Sequence, residues 1–221
     1  MNNSPPLIKL LLLAAGLTLC ASAQDPAAAP APLKLDFQAL TPGPLPEDLV
    51  LTEAEAKFAI VAEGENKLLE MAGLPIVDGG VLLGSSIKGP VTIQTRIRAT
   101  GKRRSFPRFG AGLHGVGGFR CLVVPARREL QLVRDEVVVA QVPWEWKSGT
   151  WTVVEFSVLA GPEGGSLLEG RAWEEGKARP EAAQVTHKAA TPPGTGKASL
   201  WAAPYAELPV AFDDVLVTPR P

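Results

Sequence analysis

Apolar and polar residues alternate along residues 91–100, and this two-residue period limits the fold of the chain more than any other feature of its sequence. Successive side chains of an extended strand point to opposite faces, so the alternation predicts a β-strand with one buried face. Arg96 and Arg98 fall on the polar face of this strand. The residues on the opposite face are Val91, Ile93, Thr95, Ile97 and Ala99.

Similar strand-like runs recur about every 8–12 residues through most of the chain. They lie at residues 57–63, 67–71, 109–113, 119–124, 129–134, 137–142, 151–159, 168–173, 183–187, 198–202 and 210–217. Turn-forming residues separate the runs, for example at residues 63–66, 161–165 and 192–196. A capping-box pattern at residues 52–55 fits the start of a short helix. The 22 glycines and 21 prolines in 221 residues favour many turns and few helices. The sequence therefore predicts an all-β protein, built as a two-layer antiparallel β-sandwich.

The N-terminus has the pattern of a cleaved export signal. Residues 1–9 are polar with one positive charge, and residues 10–19 are almost wholly apolar. A run of small residues then predicts a cut between Ala23 and Gln24. About ten apolar residues are too few to cross a bilayer as a helix, so we expect no membrane span.

The remaining chain divides into two regions after the signal peptide at residues 1–23. Residues 24–32 are rich in proline and alanine and predict a spacer that buries nothing. Residues 33–221 are predicted to form a single β-sandwich domain. The expected location of the mature protein is secreted or periplasmic.

The two cysteines of the chain are Cys20 and Cys121. Cys20 lies in the predicted signal, where it suggests the lipid-modified cysteine of bacterial lipoproteins as an alternative. Leu19 does not fit that alternative, because the processing favours a small residue before the cysteine. Cys121 has no partner for an intramolecular disulfide after cleavage, and its strand-like surroundings predict a buried, inert thiol.

Basic residues concentrate in the middle of the chain. Residues 96–134 contain 10 basic residues and 1 acidic residue, whereas residues 24–95 contain 4 and 10, and residues 135–221 contain 7 and 12. One interpretation is that basic strands pair with acidic neighbours in the sheets. The other is a positive face, including the loop at residues 102–104, that binds an anionic glycan or another polyanion.

The candidate binding site combines the cations of that segment with aromatic residues. Arginines pair with carboxylate or sulfate groups, and indole rings stack on the apolar faces of sugars. Two further tryptophans, Trp173 and Trp201, are expected to pack in the core. We predict a carbohydrate site with four residues on one sheet face and two tryptophans at its rim, formed by Arg96, Arg98, His114, Arg120, Trp144 and Trp146.

No motif for a cofactor or a metal ion is present in a suitable context. Residues 110–115 match G-x-G-x-x-G, but a turn and a strand-like run follow them, and dinucleotide binding requires a helix there. The two histidines and one mature cysteine have no zinc spacing. Asp213 or Asp214 with backbone carbonyls leaves a calcium site open, although Asn66 is the only asparagine of the mature chain. We therefore expect neither a cofactor nor a metal site.

Two alternatives to a binding module remain open. A hydrolase acting on glycosides needs two carboxylates opposed across a cleft. A structural or protein-interaction domain without a small ligand needs an exposed apolar patch or an open sheet edge. The candidate carboxylates for the hydrolase are Glu155, Glu169, Glu174 and Glu175.

The C-terminal two-thirds of the sequence resembles the concanavalin A-like jelly rolls of secreted bacterial proteins, including laminin-G-like and keto-disaccharide-hydrolase-like modules. The resemblance covers roughly residues 105–218 and lacks the tryptophan that often follows a proline equivalent to Pro180. It implies a jelly-roll fold and, by analogy, binding of a glycan or a surface. The runs that carry it are residues 119–124, 129–134, 149–156, 170–176 and 210–217.

The expected partner is a polysaccharide or a cell-surface glycan. The formal net charge of the full chain is −1, so no general attraction to nucleic acid is expected. We expect the protein to be a monomer.

Overall fold

Two antiparallel β-sheets stacked face to face form the described part of the chain. A computed structural model describes residue 1, residues 31–74 and residues 78–220. These residues form sixteen strands in two sheets, which confirms the predicted two-layer antiparallel β-sandwich. The predicted signal peptide and most of the predicted spacer lie outside the described residues and stay predictions.

The chain crosses between the two sheets repeatedly, which gives many pairings between distant segments. In chain order they are β1 (Leu33–Leu35), β2 (Gly43–Pro44), β3 (Val50–Leu51), β4 (Phe58–Glu63), β5 (Asn66–Met71), β6 (Gly79–Lys88), β7 (Val91–Arg98), β8 (Arg108–Leu113), β9 (Phe119–Val124), β10 (Glu129–Arg134), β11 (Val137–Pro143), β12 (Trp151–Ala160), β13 (Ser166–Glu174), β14 (Val185–Ala189), β15 (Thr195–Ala203) and β16 (Val210–Pro219).

Sheet A contains nine of these strands and sheet B contains seven. In sheet A the order is β14, β13, β12, β7, β16, β5, β4 and β2, and β1 pairs with β16. In sheet B the order is β11, β10, β9, β8, β15, β6 and β3. Sheet A therefore ends at β14 and β2, and sheet B ends at β11 and β3.

The alternating run found in the sequence is β7, which lies between β12 and β16 in the middle of sheet A. Val91, Ile93 and Ile97 are buried in the core between the sheets. Arg96 and Arg98 alternate with them and lie on the outer face of sheet A. Burial of each apolar side chain contributes about 1.5–3 kcal/mol of transfer free energy, which fixes the face that β7 turns inwards.

The outer face of sheet B carries a second apolar cluster. Leu122, Val124, Val133 and Trp201 pack together on that face, although each is buried. Cys121 is a core-facing residue of β9, and it lies in the main core and is completely buried. Burial raises the pKa of the Cys121 thiol, so the thiol stays protonated and the expected inert core cysteine fits its place.

The capping-box pattern at residues 52–55 does not start a helix. The Thr52 hydroxyl accepts a hydrogen bond from the Gly80 N–H at 2.9 Å and links the 52–55 turn to β6. A short 3₁₀ turn at Pro162–Gly164 is the one helical element of the described residues. No helix in the described ranges has the length and apolar character that crossing a bilayer requires.

Candidate functional site

The four residues predicted to lie on one sheet face do not share one, so that part of the prediction is wrong. Arg96 and Arg98 lie on the outer face of sheet A, and Arg120 in β9 lies on the outer face of sheet B. His114 follows the end of β8, and Trp144 follows the end of β11. Strand alternation places residues of one strand relative to each other, but it does not say which sheet the strand joins.

Arg96 is held by carboxylates on the outer face of sheet A. Its guanidinium contacts Glu175 at 2.9 Å, Asp213 at 2.7 Å and Asp214 at 3.0 Å, and it lies 4.6 Å from the ring centre of Trp151. Burial disfavours the charged form of Arg96, but hydrogen bonds to Asp213 and Glu175 outweigh that cost and raise its pKa. The charge of Arg96 is therefore compensated within the protein.

Arg98 is compensated in the same way. It contacts Glu63 at 2.7 Å, and its guanidinium carbon lies 4.8 Å from the ring centre of Trp151. Both arginines of β7 therefore pack against the same indole ring. For these two residues the structure supports the interpretation that basic strands pair with acidic neighbours.

Arg120 covers the ring of Trp201 on the opposite face of the molecule. The guanidinium carbon lies 3.4 Å from the ring centre, and the head group contacts Asp78 at 2.5 Å and Glu136 at 3.2 Å. Below the ring, a Cβ added at Gly112 would lie 2.9 Å from the indole nitrogen. Trp201 is therefore enclosed between a glycine of β8 and Arg120, on the outer face of sheet B and not in the main core.

His114 occupies a small polar cleft of about 180 Å³ that Arg134 and Thr195 also line. Its Nε2 lies 2.9 Å from the Gly89 carbonyl oxygen, which places the ring proton on that nitrogen when the imidazole is neutral. Burial lowers the pKa of His114, and the hydrogen bond to Gly89 offsets the change only in part. The cleft is separate from the surfaces that hold the three arginines.

Trp146 is half-buried against the core and does not stand at the rim of a shared arginine face, which corrects the prediction for this residue. Its ring meets Phe109 edge-on, with ring centres 6.0 Å apart. Trp144 is half-buried, and its indole N–H donates to the carbonyl of Ala172 at 3.1 Å. The two tryptophans therefore have different surroundings, although they are two residues apart.

Trp144 and Trp173 line a cleft of about 280 Å³ at the edge of the sandwich, here called the indole cleft. Strand β14 pairs with β13 only from Ser166 to Gly170, so the last residues of β13 lack that neighbour. The Gln184 side chain and the Trp144 indole satisfy the backbone N–H and carbonyl of Ala172 instead. The free half of β13 thus becomes the floor of a cleft.

Charged groups stand around the indole cleft. Lys147 contacts Glu174 at 3.3 Å, and Glu145 contacts Arg128, outside the cleft, at 3.7 Å. Lys177 also lines the cleft and takes part in none of the ion pairs found among the described residues. Half-buried aromatic rings with polar groups at the margin are features of small-ligand sites.

Sequence reasoning placed Trp144 at a binding site but missed Trp173, which was expected in the core. The G-x-x-W run at residues 170–173 was a usable signal, because it marks a strand that ends in a tryptophan. Nothing local connects that run with Trp144, which lies 29 positions earlier. Only the packing of β11 beside β13 and β14 brings the two rings to one cleft.

Each of the four carboxylates considered for hydrolysis contacts a cation. Glu155 accepts hydrogen bonds from Arg171 and Arg179 and is buried, and Glu169 shares Arg171. Hydrogen bonds to Glu155 raise the pKa of Arg179. The other two carboxylates, Glu174 and Glu175, contact Lys147 and Arg96.

Adjacent residues of a strand point to opposite faces, and Asp213 and Asp214 accordingly differ in burial. Asp213 is buried and Asp214 is exposed, at a β-bulge where Asp214 has a φ of 48°. One carboxylate oxygen of Asp213 accepts hydrogen bonds from both Arg96 and Asn66, so two side chains already occupy an oxygen that a calcium ion would need. No group of three metal-ligating side chains occurs in the part of the chain that the structure describes.

Comparisons with known proteins identify the architecture. No family model matches the sequence, and no curated protein matches it significantly. Among solved structures, the chain is similar to the carbohydrate binding module CBM66 from Bacillus subtilis, with a TM-score of 0.52 and 10% identity over 76% of this chain and 93% of that chain.

Two further solved structures agree. The cellulose induced protein Cip1 matches with a TM-score of 0.56 and 15% identity, over 84% of this chain and 96% of that chain. The PL-14 alginate lyase from Aplysia kurodai matches with a TM-score of 0.51 and 10% identity, over 74% of this chain and 87% of that chain. Identities this low show the fold alone. The chain therefore has the jelly-roll β-sandwich fold of these solved structures, as the resemblance in the sequence implied.

Proposed function

We propose that the protein is an exported carbohydrate-binding module and that the indole cleft is its sugar site. The observation that carries this proposal is the pair of half-buried indoles, Trp144 and Trp173, that line one cleft together with lysine and glutamate side chains. Indole rings stack on the apolar C–H faces of sugars, and the surrounding polar groups can bond to hydroxyls. The volume of about 280 Å³ suits one or two sugar units of a longer chain.

Several features support the finer parts of the proposal. The predicted signal peptide supports export to the periplasm or the medium. Lys177, which lines the cleft without an ion-pair partner among the described residues, supports an acidic polysaccharide as the ligand. Two of the similar structures are named for carbohydrate binding and for lysis of alginate, and the latter name points to an acidic polymer.

Binding without catalysis is the proposed activity. The four carboxylates considered for hydrolysis each contact arginine or lysine, which suits a structural role in the sheets. Prolonged incubation of the protein with a polysaccharide that it binds should release no new reducing ends. A steady release, abolished by Glu174→Gln, would assign the cleft to a hydrolase instead.

Replacing Trp173 tests the site. We expect Trp173→Ala to weaken binding at least tenfold, because the ring that stacks on the sugar is lost, and a tenfold loss corresponds to about 1.4 kcal/mol. Affinity electrophoresis in gels that contain alginate, cellulose derivatives or dextran provides the measurement. Trp151→Ala is the matched control, because Trp151 is also half-buried but packs against Arg96 and Arg98.

The control should keep the affinity of the unaltered protein within about twofold, which is below 0.5 kcal/mol. Circular dichroism and the urea midpoint of both variants show whether each one folds. Equal losses in the two variants, or full affinity in Trp173→Ala, would remove the indole cleft from the proposal.

A further inference from the structure

The turn between β7 and β8 carries three consecutive cations. Residues 102–105 form a tight hairpin closed by two backbone hydrogen bonds, from Lys102 N–H to the Ser105 carbonyl at 2.9 Å and from Ser105 N–H to the Lys102 carbonyl at 3.0 Å. Arg103 adopts a left-handed conformation with a φ of 58°. The side chains of Lys102, Arg103 and Arg104 are exposed. We call residues 102–105 the cationic hairpin.

The cationic hairpin differs from the arginines of the neighbouring strands in its ion pairing. In the neighbouring strands, Arg96, Arg98 and Arg120 each contact at least one carboxylate within 3.2 Å. No ion pair of the described residues includes Lys102, Arg103 or Arg104. The strand arginines of residues 96–134 are therefore paired with carboxylates, whereas the three cations of this turn have no such partner in the described part of the chain.

A cleft of about 450 Å³ separates the cationic hairpin from the turn that contains Tyr205 and Glu207. Tyr205 is 43% exposed, so its aromatic side chain is partly at the surface. Three cations against one carboxylate leave the walls with a formal charge of about +2. An aromatic side chain beside cations that lack an ion-pair partner among the described residues suits a sugar that carries an acidic group.

The cationic hairpin is attached to the wall of the indole cleft. The Gly101 N–H donates to the Ser148 hydroxyl at 2.9 Å, and the Gly149 N–H donates to the Ala99 carbonyl at 2.8 Å. Lys147 and Thr150, on either side of that contact, line the indole cleft. The two clefts therefore lie at the same end of the sandwich, joined by one turn.

We infer that the cationic hairpin and Tyr205 form a second subsite, which binds the carboxylate or sulfate groups of an acidic polysaccharide whose chain continues into the indole cleft. The assignment of the ligand to the carbohydrates rests on the proposed function. The subsite itself rests on the unpaired cations, the facing aromatic ring and the cleft between them.

The test replaces the three cations together. We expect Lys102→Gln/Arg103→Gln/Arg104→Gln to bind alginate and dextran sulfate at least tenfold more weakly than the unaltered protein at about 0.15 M salt, where only short-range charge contacts persist. Affinity electrophoresis gives the dissociation constants, with uncharged dextran as the neutral polymer. The matched control is Lys57→Gln/Arg127→Gln/Lys188→Gln, which removes the same charge from other exposed positions.

The control should lose no more than about twofold, which is below 0.5 kcal/mol. Equal losses in both triple variants would assign the effect to net charge and overturn the subsite. Failure of the unaltered protein to bind either acidic polymer would overturn it as well. Binding of duplex DNA with the same affinity and the same dependence on the hairpin would replace the proposed ligand by polyanions in general.

Trp173→Ala separates this inference from the proposed function. If the hairpin variant loses affinity for the acidic polymers but Trp173→Ala does not, the subsite stands and the indole cleft fails as the sugar site. If Trp173→Ala loses affinity and the hairpin variant does not, the proposed function stands and the subsite fails.

Discussion

At the scale of single residues, the degree of burial decides which ion pairs matter for stability. Arg96 and Arg98 are two residues apart on one face of β7, and each contacts a carboxylate at 2.7 Å. The carboxylate of Asp213 is 1% exposed, whereas that of Glu63 is 52% exposed. A buried charge that loses its partner cannot be hydrated, whereas an exposed charge can.

Replacing each arginine by methionine should separate these two cases. We expect Arg96→Met to lower the free energy of unfolding by about 3 kcal/mol, because Asp213 stays buried with only Asn66 as a side-chain partner. Arg98→Met should cost less than about 1 kcal/mol. Urea unfolding followed by tryptophan fluorescence measures both. Similar losses in the two variants would contradict the role given to burial.

His114 should make stability depend on pH. Its pKa is lower in the folded protein than the ordinary value, so the unfolded chain binds the proton more strongly. Stability is therefore present above pH of about 6.5 and is lost as the pH falls. We expect the drop in unfolding free energy between pH 7 and pH 5 to be smaller in His114→Asn than in the unaltered protein.

Asparagine suits this position because it tolerates the left-handed backbone of His114, which has a φ of 66°. The matched variant is His187→Asn, which replaces the other histidine of the chain. It measures how far the loss of a histidine elsewhere in the chain changes the same drop. An unchanged pH dependence in His114→Asn would show that other groups cause the drop.

At the scale of elements, local pattern predicted most strands and missed some for a clear reason. Residues 119–124 and 129–134 coincide with β9 and β10, and residues 91–100 contain β7. The missed long strand is β6, Gly79–Lys88, whose sequence GGVLLGSSIK interrupts the two-residue period with glycines and serines. The strand forms because it pairs with β15 over most of its length, although its own sequence has little preference for a strand.

The candidate site was less predictable than the strands. Alternation correctly put Arg96 and Arg98 on one face, because the two lie in one strand. It could not relate Arg120 to them, because β9 belongs to the other sheet. Trp173 joined Trp144 only through the packing of two sheet edges, and no local sequence feature encodes that packing.

The glycine at position 112 of β8 is explained by the neighbouring strand β15, whose side chains fill the space that a Cβ would need. A Cβ at Gly112 would lie 2.6 Å from the Ser199 hydroxyl and 2.9 Å from the Trp201 indole nitrogen. We expect Gly112→Ala to reduce stability by about 1–3 kcal/mol, because the added methyl displaces the ring of Trp201. Gly117→Ala is the control, since a Cβ at that position meets no atom within 4 Å. Thermal unfolding compares them, and equal midpoints would refute the steric explanation.

At the scale of the whole molecule, most cations of the basic segment are paired with carboxylates, whereas the proposed binding surfaces lie at one end of the sandwich. The basic middle of the sequence meets acidic residues far away along the chain, as in the contact between Arg96 and Asp213, 117 positions apart. Arg96 and Asp213 lie on the adjacent strands β7 and β16 of sheet A, so this contact forms only when segments distant in the sequence pair within that sheet. The indole cleft and the cationic hairpin lie together at the end where the turns meet.

The complete burial of Cys121 has a practical consequence. If the leader with Cys20 is cleaved as predicted, this thiol is the only one in the mature protein, and maleimide reagents cannot reach it in the folded state. A cysteine introduced at an exposed position such as Arg104 would then be the single reactive point for a fluorophore or a nitroxide. Such a probe could follow the arrival of a polymer in real time, without removal of any native sulfur.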